Sequence, residues 1–286
     1  MQSIKSINVN GRRTRVRIEG DADRLPILLL HGVSRSLEDW ETQFLPLRQA
    51  GYRVIALDLP GSGFSDRLPA WTTLPGLAQG VIETVDAIGE TRPLHVMGHS
   101  LGGAVALQLL ASDPDRVATL NLVSSAGFGA PLHPMLRLMS VPVIGPAAAR
   151  HTNRATVRML ERQIYADRSL ATAERIDRAL GFARQPDNGE VVHETARALA
   201  TIRGVRVQWR DGLLAKVSEH PRPTLAVWGD RDRILPGRQM DATRRLLPHA
   251  RVHLFRAVGH APHVEAADRF TELTLDFLRS QPAVSA

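Results

Sequence analysis

Residues 94–111 read LHVMGHSLGGAVALQLLA and hold the pattern on which the fold prediction depends. The apolar stretch 94–97 predicts a buried strand, and residues 101–111 predict a helix. Between them lies GHSLG, a G-x-S-x-G pentapeptide at residues 98–102. A serine on so tight a strand-to-helix turn projects its oxygen above the sheet, and the glycines permit that backbone path. We therefore predict a nucleophile at Ser100, because a helix N-cap role would explain the serine but not glycines on both sides.

Strand-like and helix-like segments alternate on both sides of this turn. Residues 9–19 predict a hairpin turned at Asn10-Gly11, since this dipeptide favours a type I′ turn. Further strands are predicted at residues 27–30, 53–57 and 117–123, with helices at residues 40–50 and 74–88. This order is typical of a parallel sheet with right-handed helical crossovers. The fold class is therefore α/β, with a mostly parallel central sheet flanked by helices.

The pattern changes after Ala126. Residues 128–220 contain little strand-like sequence and predict short helices at residues 150–165, 170–183 and 190–202. Sheet-like sequence then resumes with strands at residues 224–228 and 251–255, and helices at residues 237–247 and 264–279. We expect a core domain formed by residues 1–127 and 221–286, interrupted after the fourth parallel-type strand by a helical cap domain of residues 128–220.

Composition excludes several classes of function. The chain has 286 residues and no cysteine, so thiolate nucleophiles, disulfides and cysteine-ligated metals are excluded. Its formal charge is +7, but the arginines are scattered without a basic run, so no nucleic-acid partner is expected. No stretch is apolar for long enough to span a membrane, and the first ten residues do not resemble a signal peptide, so a cytoplasmic protein is expected.

Two downstream segments supply a base and a carboxylate for a serine nucleophile. Trp228-Gly229-Asp230-Arg231-Asp232 follows one predicted strand, and Gly259-His260 follows the next. Ligand sites in parallel sheets gather at the carboxyl ends of strands, so these loops and Ser100 are expected to converge. His260 is favoured as the base over His263 because of the preceding glycine and its loop position. The remaining histidines form no H-E-x-x-H pattern, so no metal site is expected.

Taken together, these motifs resemble the α/β-hydrolase superfamily in its serine-nucleophile branch, across nearly the whole chain outside the expected cap. The further matching pieces are His31-Gly32 after a strand and the stretch DLPGSGFS at residues 58–65, interpreted as a loop-shaping segment. The resemblance implies the α/β-hydrolase fold and a catalytic triad of Ser100, Asp232 and His260, with Asp230 less favoured as the acid. It also implies an oxyanion hole formed by the backbone N–H groups of Val33 and Leu101.

Residues that bind the substrate are expected beside the nucleophile and in the apolar part of the cap. We propose His99, Ser34, Met139 and Val141 for this role. The arginines at 150, 154 and 158 repeat with helical spacing, which usually marks a solvated face. A carboxylate anchor is the alternative interpretation of this stripe, because arginine can hold a carboxylate through paired N–H bonds.

The predicted activity is cofactor-independent hydrolysis of a carboxylic ester of a small or medium apolar molecule, through an acyl-enzyme. A carbon–carbon bond hydrolase of the meta-cleavage-product type is an alternative, although that family usually carries Asn before the serine and Trp after the histidine, where this chain has His99 and Ala261. A haloperoxidase or perhydrolase activity is a further alternative. A non-catalytic small-molecule receptor on the same fold stays open as a different class. The sequence leaves the oligomeric state undetermined.

Overall fold

The computed structural model describes residues 4–150 and 152–281, which contain an eight-stranded sheet and a separate two-stranded one. The strands are β1 Lys5–Val9, β2 Arg12–Glu19, β3 Pro26–Leu30, β4 Arg53–Leu57, β5 Leu94–His99, β6 Val117–Val123, β7 Ala200–Thr201, β8 Gly204–Val205, β9 Thr224–Gly229 and β10 Arg251–Phe255. The large sheet has the order β1-β2-β4-β3-β5-β6-β9-β10. Within this large sheet, only the β1/β2 and β2/β4 pairs are antiparallel, which confirms the predicted mostly parallel sheet.

Helices cover both faces of this sheet. Before β9 they are α1 Glu41–Gln49, α2 Leu74–Ala87 and α3 Leu101–Ser112, and after it α10 Gln239–Leu246, α11 Pro262–Glu265 and α12 Ala267–Arg279. Strand β3 is buried along its whole length and alternates between the two faces. Leu28 and Leu30 pack with α2 and α3, whereas Ile27 and Leu29 pack with α1 and α12. The unbroken apolar run therefore forms a central strand, because both of its faces are covered.

The segment between β6 and β9 is mainly helical. Its helices are α4 Pro134–Met139, α5 Ile144–Arg150, α6 Arg154–Ile164, α7 Ala173–Ala183, α8 Asn188–Leu199 and α9 Val207–Glu219. The β7–β8 hairpin lies between α8 and α9. We call residues 128–220 the inserted segment. Its last helix, α9, packs Leu213, Leu214 and Val217 into the same apolar cluster as α3.

Several helix boundaries differ from the prediction for local reasons. Helix α6 begins at Arg154 because the Asn153 side chain accepts the N–H groups of Ala155 and Thr156, each at 3.0 Å. Helix α7 likewise begins after Thr172, whose hydroxyl accepts the Arg175 N–H. The predicted closing helix is divided into α11 and α12 at Ala266. The Asn10-Gly11 turn has positive φ at both residues, as the predicted hairpin requires.

No helix within the described ranges is long and apolar enough to cross a membrane.

Candidate active site

Ser100 lies in the turn from β5 into α3 with φ 54° and ψ −113°. A positive φ is uncommon for a residue with a side chain and persists only when the surroundings hold it. Its N–H donates to the carbonyl of Val123 at 2.9 Å, and its carbonyl accepts the Ala126 N–H at 3.0 Å. Glycine is required at position 102, because a Cβ there would overlap the carbonyl oxygen of Leu30. Contacts with β3 and β6 therefore fix the turn.

His260 and Asp232 form a buried hydrogen-bonded pair at the same edge of the sheet. His260 Nδ1 lies 2.7 Å from Asp232 Oδ2. The other carboxylate oxygen accepts the N–H groups of Ile234 at 2.8 Å and Leu235 at 2.9 Å. Because a carboxylate can only accept, Nδ1 carries the proton and Nε2 is left as the basic nitrogen. Asp230, the less favoured acid, instead lies 3.9 Å from the Arg256 guanidinium.

Ser100 and His260 border one cavity of about 270 Å³. Among the predicted binding residues, His99, Ser34 and Met139 line it, whereas Val141 does not. A smaller apolar hollow of about 60 Å³ also reaches Ser100, with Leu132, Trp209 and other residues on its wall. No hydrogen bond joins the Ser100 hydroxyl to the His260 imidazole in the structure. The two groups share a cavity, and the paired carboxylate lies behind the imidazole.

Val33 and Leu101, the residues predicted to form the oxyanion hole, border the same hollow as Ser100. Val33 and Leu101 line the smaller hollow, and Val33 also lines the larger cavity. Leu101 is the first residue of α3, where a helix leaves its N–H groups without internal partners. The loop that carries Val33 is held by His31, whose Nδ1 donates to Gly32 O at 2.8 Å and whose Nε2 accepts the Leu59 N–H at 2.9 Å. Burial lowers the pKa of His31 to about 4, so the ring is neutral and suited to this bridging role.

Three histidine rings form a row of tilted rings, and two of them, His99 and His260, line the cavity. His99 lies between His260 and His263, with ring centroids 4.7 Å and 4.6 Å away. His99 Nε2 is 3.0 Å from the carbonyl of His260, so this nitrogen donates and holds the His260 loop. His263 packs against Trp40 instead of the cavity, and neither of its ring nitrogens has a partner among the described residues. His260, and not His263, is therefore the imidazole that pairs with a carboxylate.

The 58–65 stretch shapes a loop, as the sequence predicts. Asp58 accepts the Leu37 N–H at 2.8 Å and the Phe64 N–H at 2.9 Å, which joins the loops that follow β3 and β4. Burial raises the pKa of Asp58 to about 7, against the opposing charge of Arg15. Gly63 has φ 57°, and a Cβ there would overlap the Asp58 carboxylate.

The two arginines of the predicted stripe that lie on α6, Arg154 and Arg158, do not line the cavity. Arg154 pairs with Asp177, and Arg158 is exposed, while the Arg150 side chain lies outside the described residues. The charged residues on the cavity wall are instead Arg35 and Glu161, which sequence patterns do not single out. They are ion-paired although they lie 126 positions apart in the chain. Within the described part of the chain, no group of His, Asp or Glu residues is arranged to hold a metal ion.

A family model described as the alpha/beta hydrolase fold matches residues 26–267, which include all of the site residues above. The chain belongs to the α/β-hydrolase family. The match confirms the resemblance that the motifs indicated. In this family a serine on such a strand-to-helix turn is the typical position of the nucleophile in the hydrolase members.

Relatives of this α/β hydrolase have more than one activity in their names. It is 33% identical over 271 residues to the dihydrolipoyllysine-residue acetyltransferase component of the acetoin cleaving system of Pseudomonas putida, covering 95% of this chain and 68% of that protein. The corresponding Cupriavidus necator protein is 32% identical over 266 residues, and the chain spans 66% of its length. It is also 30% identical over 269 residues to a 2-hydroxy-6-oxononadienedioate/2-hydroxy-6-oxononatrienedioate hydrolase of Comamonas testosteroni, covering 91% of this chain and 88% of that one.

Among solved structures, a meta-cleavage product hydrolase from Pseudomonas fluorescens superposes with a TM-score of 0.79 at 26% identity. The match covers 96% of this chain and 97% of that chain. The fold is therefore shared with hydrolases. Because the relatives are named for different activities, the bond that this chain cleaves has to be inferred from its site.

Proposed function

We propose that this chain is a cofactor-independent serine hydrolase that cleaves a carboxylic ester of a small or medium apolar molecule through an acyl-enzyme. One observation carries the proposal. Ser100, on its constrained turn, borders the same cavity as His260, and Nδ1 of this imidazole is hydrogen-bonded to Asp232. Nucleophile, base and orienting carboxylate are the parts that nucleophilic catalysis by serine requires. The mainly apolar wall and the volume of about 270 Å³ suit a compact apolar substrate.

In the proposed mechanism, Ser100 Oγ attacks the ester carbonyl carbon and its proton passes to His260 Nε2. Asp232 keeps the proton on Nδ1 and stabilises the imidazolium. The N–H groups of Val33 and Leu101 hold the oxyanion, and removal of one such donor typically costs about 10² to 10³ in rate. The imidazolium then protonates the leaving alkoxide as the C–O bond breaks. Water repeats the attack on the acyl-enzyme, the acid is released, and Ser100 regains its proton.

The missing hydrogen bond between Ser100 and His260 is consistent with this mechanism. Catalytic hydrogen bonds are often long or poorly aligned without substrate and tighten in the complex. The inserted segment supports the same interpretation, because its helices α4, α6 and α8 supply cavity residues such as Met139, Leu160 and Val192. We therefore propose that residues 128–220 form a cap over a core of residues 1–127 and 221–286.

The second candidate is carbon–carbon bond hydrolysis, which the names of the Comamonas testosteroni relative and of the Pseudomonas fluorescens structure favour. His99 and Ala261 stand where such hydrolases usually have Asn and Trp, and for this reason we place ester cleavage first. Acyl transfer to peroxide or to another acceptor would use the same acyl-enzyme.

The test is a substrate panel with wild type and Ser100→Ala. It contains short-chain and long-chain p-nitrophenyl esters, lactones and a vinylogous 1,5-diketone. We expect repeated turnover of the short-chain esters by the wild type and a loss on the order of 10⁴-fold or more in Ser100→Ala, with unchanged circular dichroism. Near-normal turnover by folded Ser100→Ala would refute the assignment. Faster cleavage of the diketone would instead establish the second candidate, and single-turnover cleavage would indicate a receptor.

A further inference from the structure

One guanidinium and two carboxylates form an ion-pair cluster that reaches the cavity. Arg35 lies on the loop after β3, Asp39 on the short 3-10 helix Leu37–Trp40, and Glu161 on α6. Arg35 Nε lies 2.9 Å from both oxygens of Asp39, and one terminal nitrogen lies 2.7 Å from Oδ1. The other terminal nitrogen of Arg35 binds Glu161 Oε1. The cluster joins the core to the inserted segment.

This cluster has an excess of negative charge, because one guanidinium faces two carboxylates. Arg35 is engaged mainly by Asp39. Burial acts to raise the pKa of Asp39, but the charge and hydrogen bonds of Arg35 outweigh it, so this pKa lies below its ordinary value. Burial raises the pKa of Glu161; the charge of Arg35 and, less strongly, that of Arg175 oppose the rise, and the charge of Asp39 adds to it. Glu161 is therefore the carboxylate whose charge is less completely compensated.

Glu161 also has an unused acceptor. The residue is 3% exposed, and its Oε2 has no hydrogen-bond partner among the residues that the structure describes. Buried polar atoms are nearly always paired, so an unpaired carboxylate oxygen calls for an explanation. Arg35 and Glu161 are the only Arg and the only acidic residue on the described wall of the cavity that Ser100 and His260 share.

The helix that carries Glu161 contacts the loop of His260. Three residues further along α6, the carbonyl of Ile164 accepts the backbone N–H of His260 at 2.7 Å. One helical turn rises about 5.4 Å, so Glu161 and this carbonyl lie about one turn apart on the same helix. A group bound at Glu161 would therefore belong to a substrate inside the cavity that Ser100 borders, and not to a distant surface site.

We propose that Glu161 determines substrate specificity by accepting a hydrogen bond from a hydroxyl or ammonium group of the substrate, while the excess negative charge of the cluster rejects a carboxylate. This inference rests on the proposed function, in which the cavity binds the substrate. It excludes dioates, the substrates named for the Comamonas testosteroni relative, because a carboxylate beside Glu161 would face a like charge, and Arg35, the only Arg on the described cavity wall, is already held by Asp39 and Glu161.

The experiment measures binding in Ser100→Ala, so that it does not depend on turnover. At a short length it compares methyl 3-hydroxybutanoate with methyl 3-methylbutanoate. At a longer length it compares methyl 6-hydroxyhexanoate, methyl 6-aminohexanoate and monomethyl adipate with methyl heptanoate. We expect the hydroxyl or ammonium ester to bind about tenfold more tightly than its methyl counterpart at one length or both, the size of one hydrogen bond to a charged group. Monomethyl adipate should bind at least about tenfold more weakly than methyl heptanoate.

Glu161→Gln in the Ser100→Ala background is the diagnostic variant. Glutamine keeps an oxygen for Arg35 but carries an N–H donor in place of one carboxylate oxygen, so the penalty on monomethyl adipate should fall at least about tenfold. Glu174→Gln is the matched control, because Glu174 pairs with Arg178 on the exposed face of α7 and should change no ratio.

Equal binding of monomethyl adipate and methyl heptanoate to the chain that retains Glu161 would overturn the inference. So would unchanged ratios in Glu161→Gln, or no binding of any ester. If Glu161→Gln does not fold, the binding ratio of monomethyl adipate to methyl heptanoate in the Ser100→Ala chain, which retains Glu161, still tests the inference. Failure of the wild type to turn over any ester would refute the proposed function. The binding ratios in Ser100→Ala do not depend on turnover and therefore test this inference separately.

Discussion

The sheet region and the inserted segment are stabilised in different ways. In the sheet region, strands such as β3 and β5 are buried along their whole length between two layers of helices. In the inserted segment, α6 and α7 bury a cluster of only three residues, Val157, Ile176 and Leu180. Ion pairs connect the two regions, among them Arg67 with Glu194 and Arg35 with Glu161.

This difference separates two tasks. The proposed reacting groups lie on turns and loops that follow strands of the sheet, and two of these strands, β5 and β9, are buried along their whole length. The residues that shape much of the cavity lie on short helices with a small core, held to the sheet region by charged contacts. We therefore expect changes in the first region to abolish the chemistry or the fold, and changes in the second to alter which substrate is accepted.

The largest effect is expected at Asp232 in the sheet region. Asp232→Asn should lower kcat/KM on the order of 10³ to 10⁴-fold, because an amide NH₂ facing His260 would favour the wrong imidazole tautomer. The remaining oxygen can still accept the Ile234 and Leu235 N–H groups, so the thermal unfolding temperature should change by only a few degrees. Asp230→Asn is the control and should leave kcat/KM within a factor of about two, because Asp230 faces Arg256 on the outside of the site. An equal loss in both variants would contradict the assignment.

The same glycine-to-alanine change should have opposite effects in the two regions. In Gly102→Ala the new Cβ overlaps the Leu30 carbonyl, and backbone cannot move aside as a side chain can, so we expect a loss of more than about 4 kcal/mol or no folded protein. In Gly212→Ala, on α9 of the inserted segment, the Cβ meets nothing within 4 Å. Helix propensity should therefore raise the free energy of unfolding by about 0.5 to 1 kcal/mol. Urea unfolding of both variants checks this, and a stable Gly102→Ala would show that the turn is less constrained than its contacts indicate.

A smaller effect is expected when the pH is changed. Buried histidines of the sheet region should make the free energy of unfolding depend on pH. Burial lowers the pKa of His31 and His95 to about 4 and that of His263 to about 3, from 6.5. Below pH 6.5 the unfolded chain binds protons at these sites and the folded chain does not. The contribution of these histidines to the free energy of unfolding is therefore fully present above pH 6.5 and is lost as the pH falls toward 4. Burial raises the pKa of Asp58 to about 7, which opposes this trend, because in this range the folded chain keeps a proton that the unfolded chain releases.

These three histidines and Asp58 together give a net uptake of about two protons on unfolding near pH 5, or roughly 3 kcal/mol per pH unit. Burial also lowers the pKa of His99 well below its ordinary value, which adds to this uptake. Urea unfolding between pH 5 and pH 6.5 measures this slope. His95→Gln should reduce it by about one proton, and its amide can still hydrogen-bond to Thr119, which His95 contacts through Nδ1 at 2.9 Å. A slope of zero in the wild type would show that these side chains are not neutral in the folded state.

Much of the sheet region could be predicted from local patterns. An apolar run of strand length, a turn dipeptide or a glycine-flanked serine limits the backbone within a few residues, and such signals located β3, β4, β6, β10 and the Ser100 turn. The inserted segment was harder. Helices α4 and α5 were not predicted, because short helices with few buried residues depend on tertiary packing more than on their own periodicity. Helix α9 was also missed: it has 13 residues, but its apolar side chains show little helical periodicity.

The sequence by itself determined the order of strands and helices in the sheet region, the family, and the chemical types of the residues proposed for catalysis. Only the tertiary structure decided that Glu161 meets Arg35 on the wall of the cavity that Ser100 borders, and that Val141 stays off that wall. Backbone sterics and hydrophobic periodicity act between neighbours in the chain and can be read there. Ion pairs and cavity walls form between residues more than a hundred positions apart, so they exist only after the chain has packed.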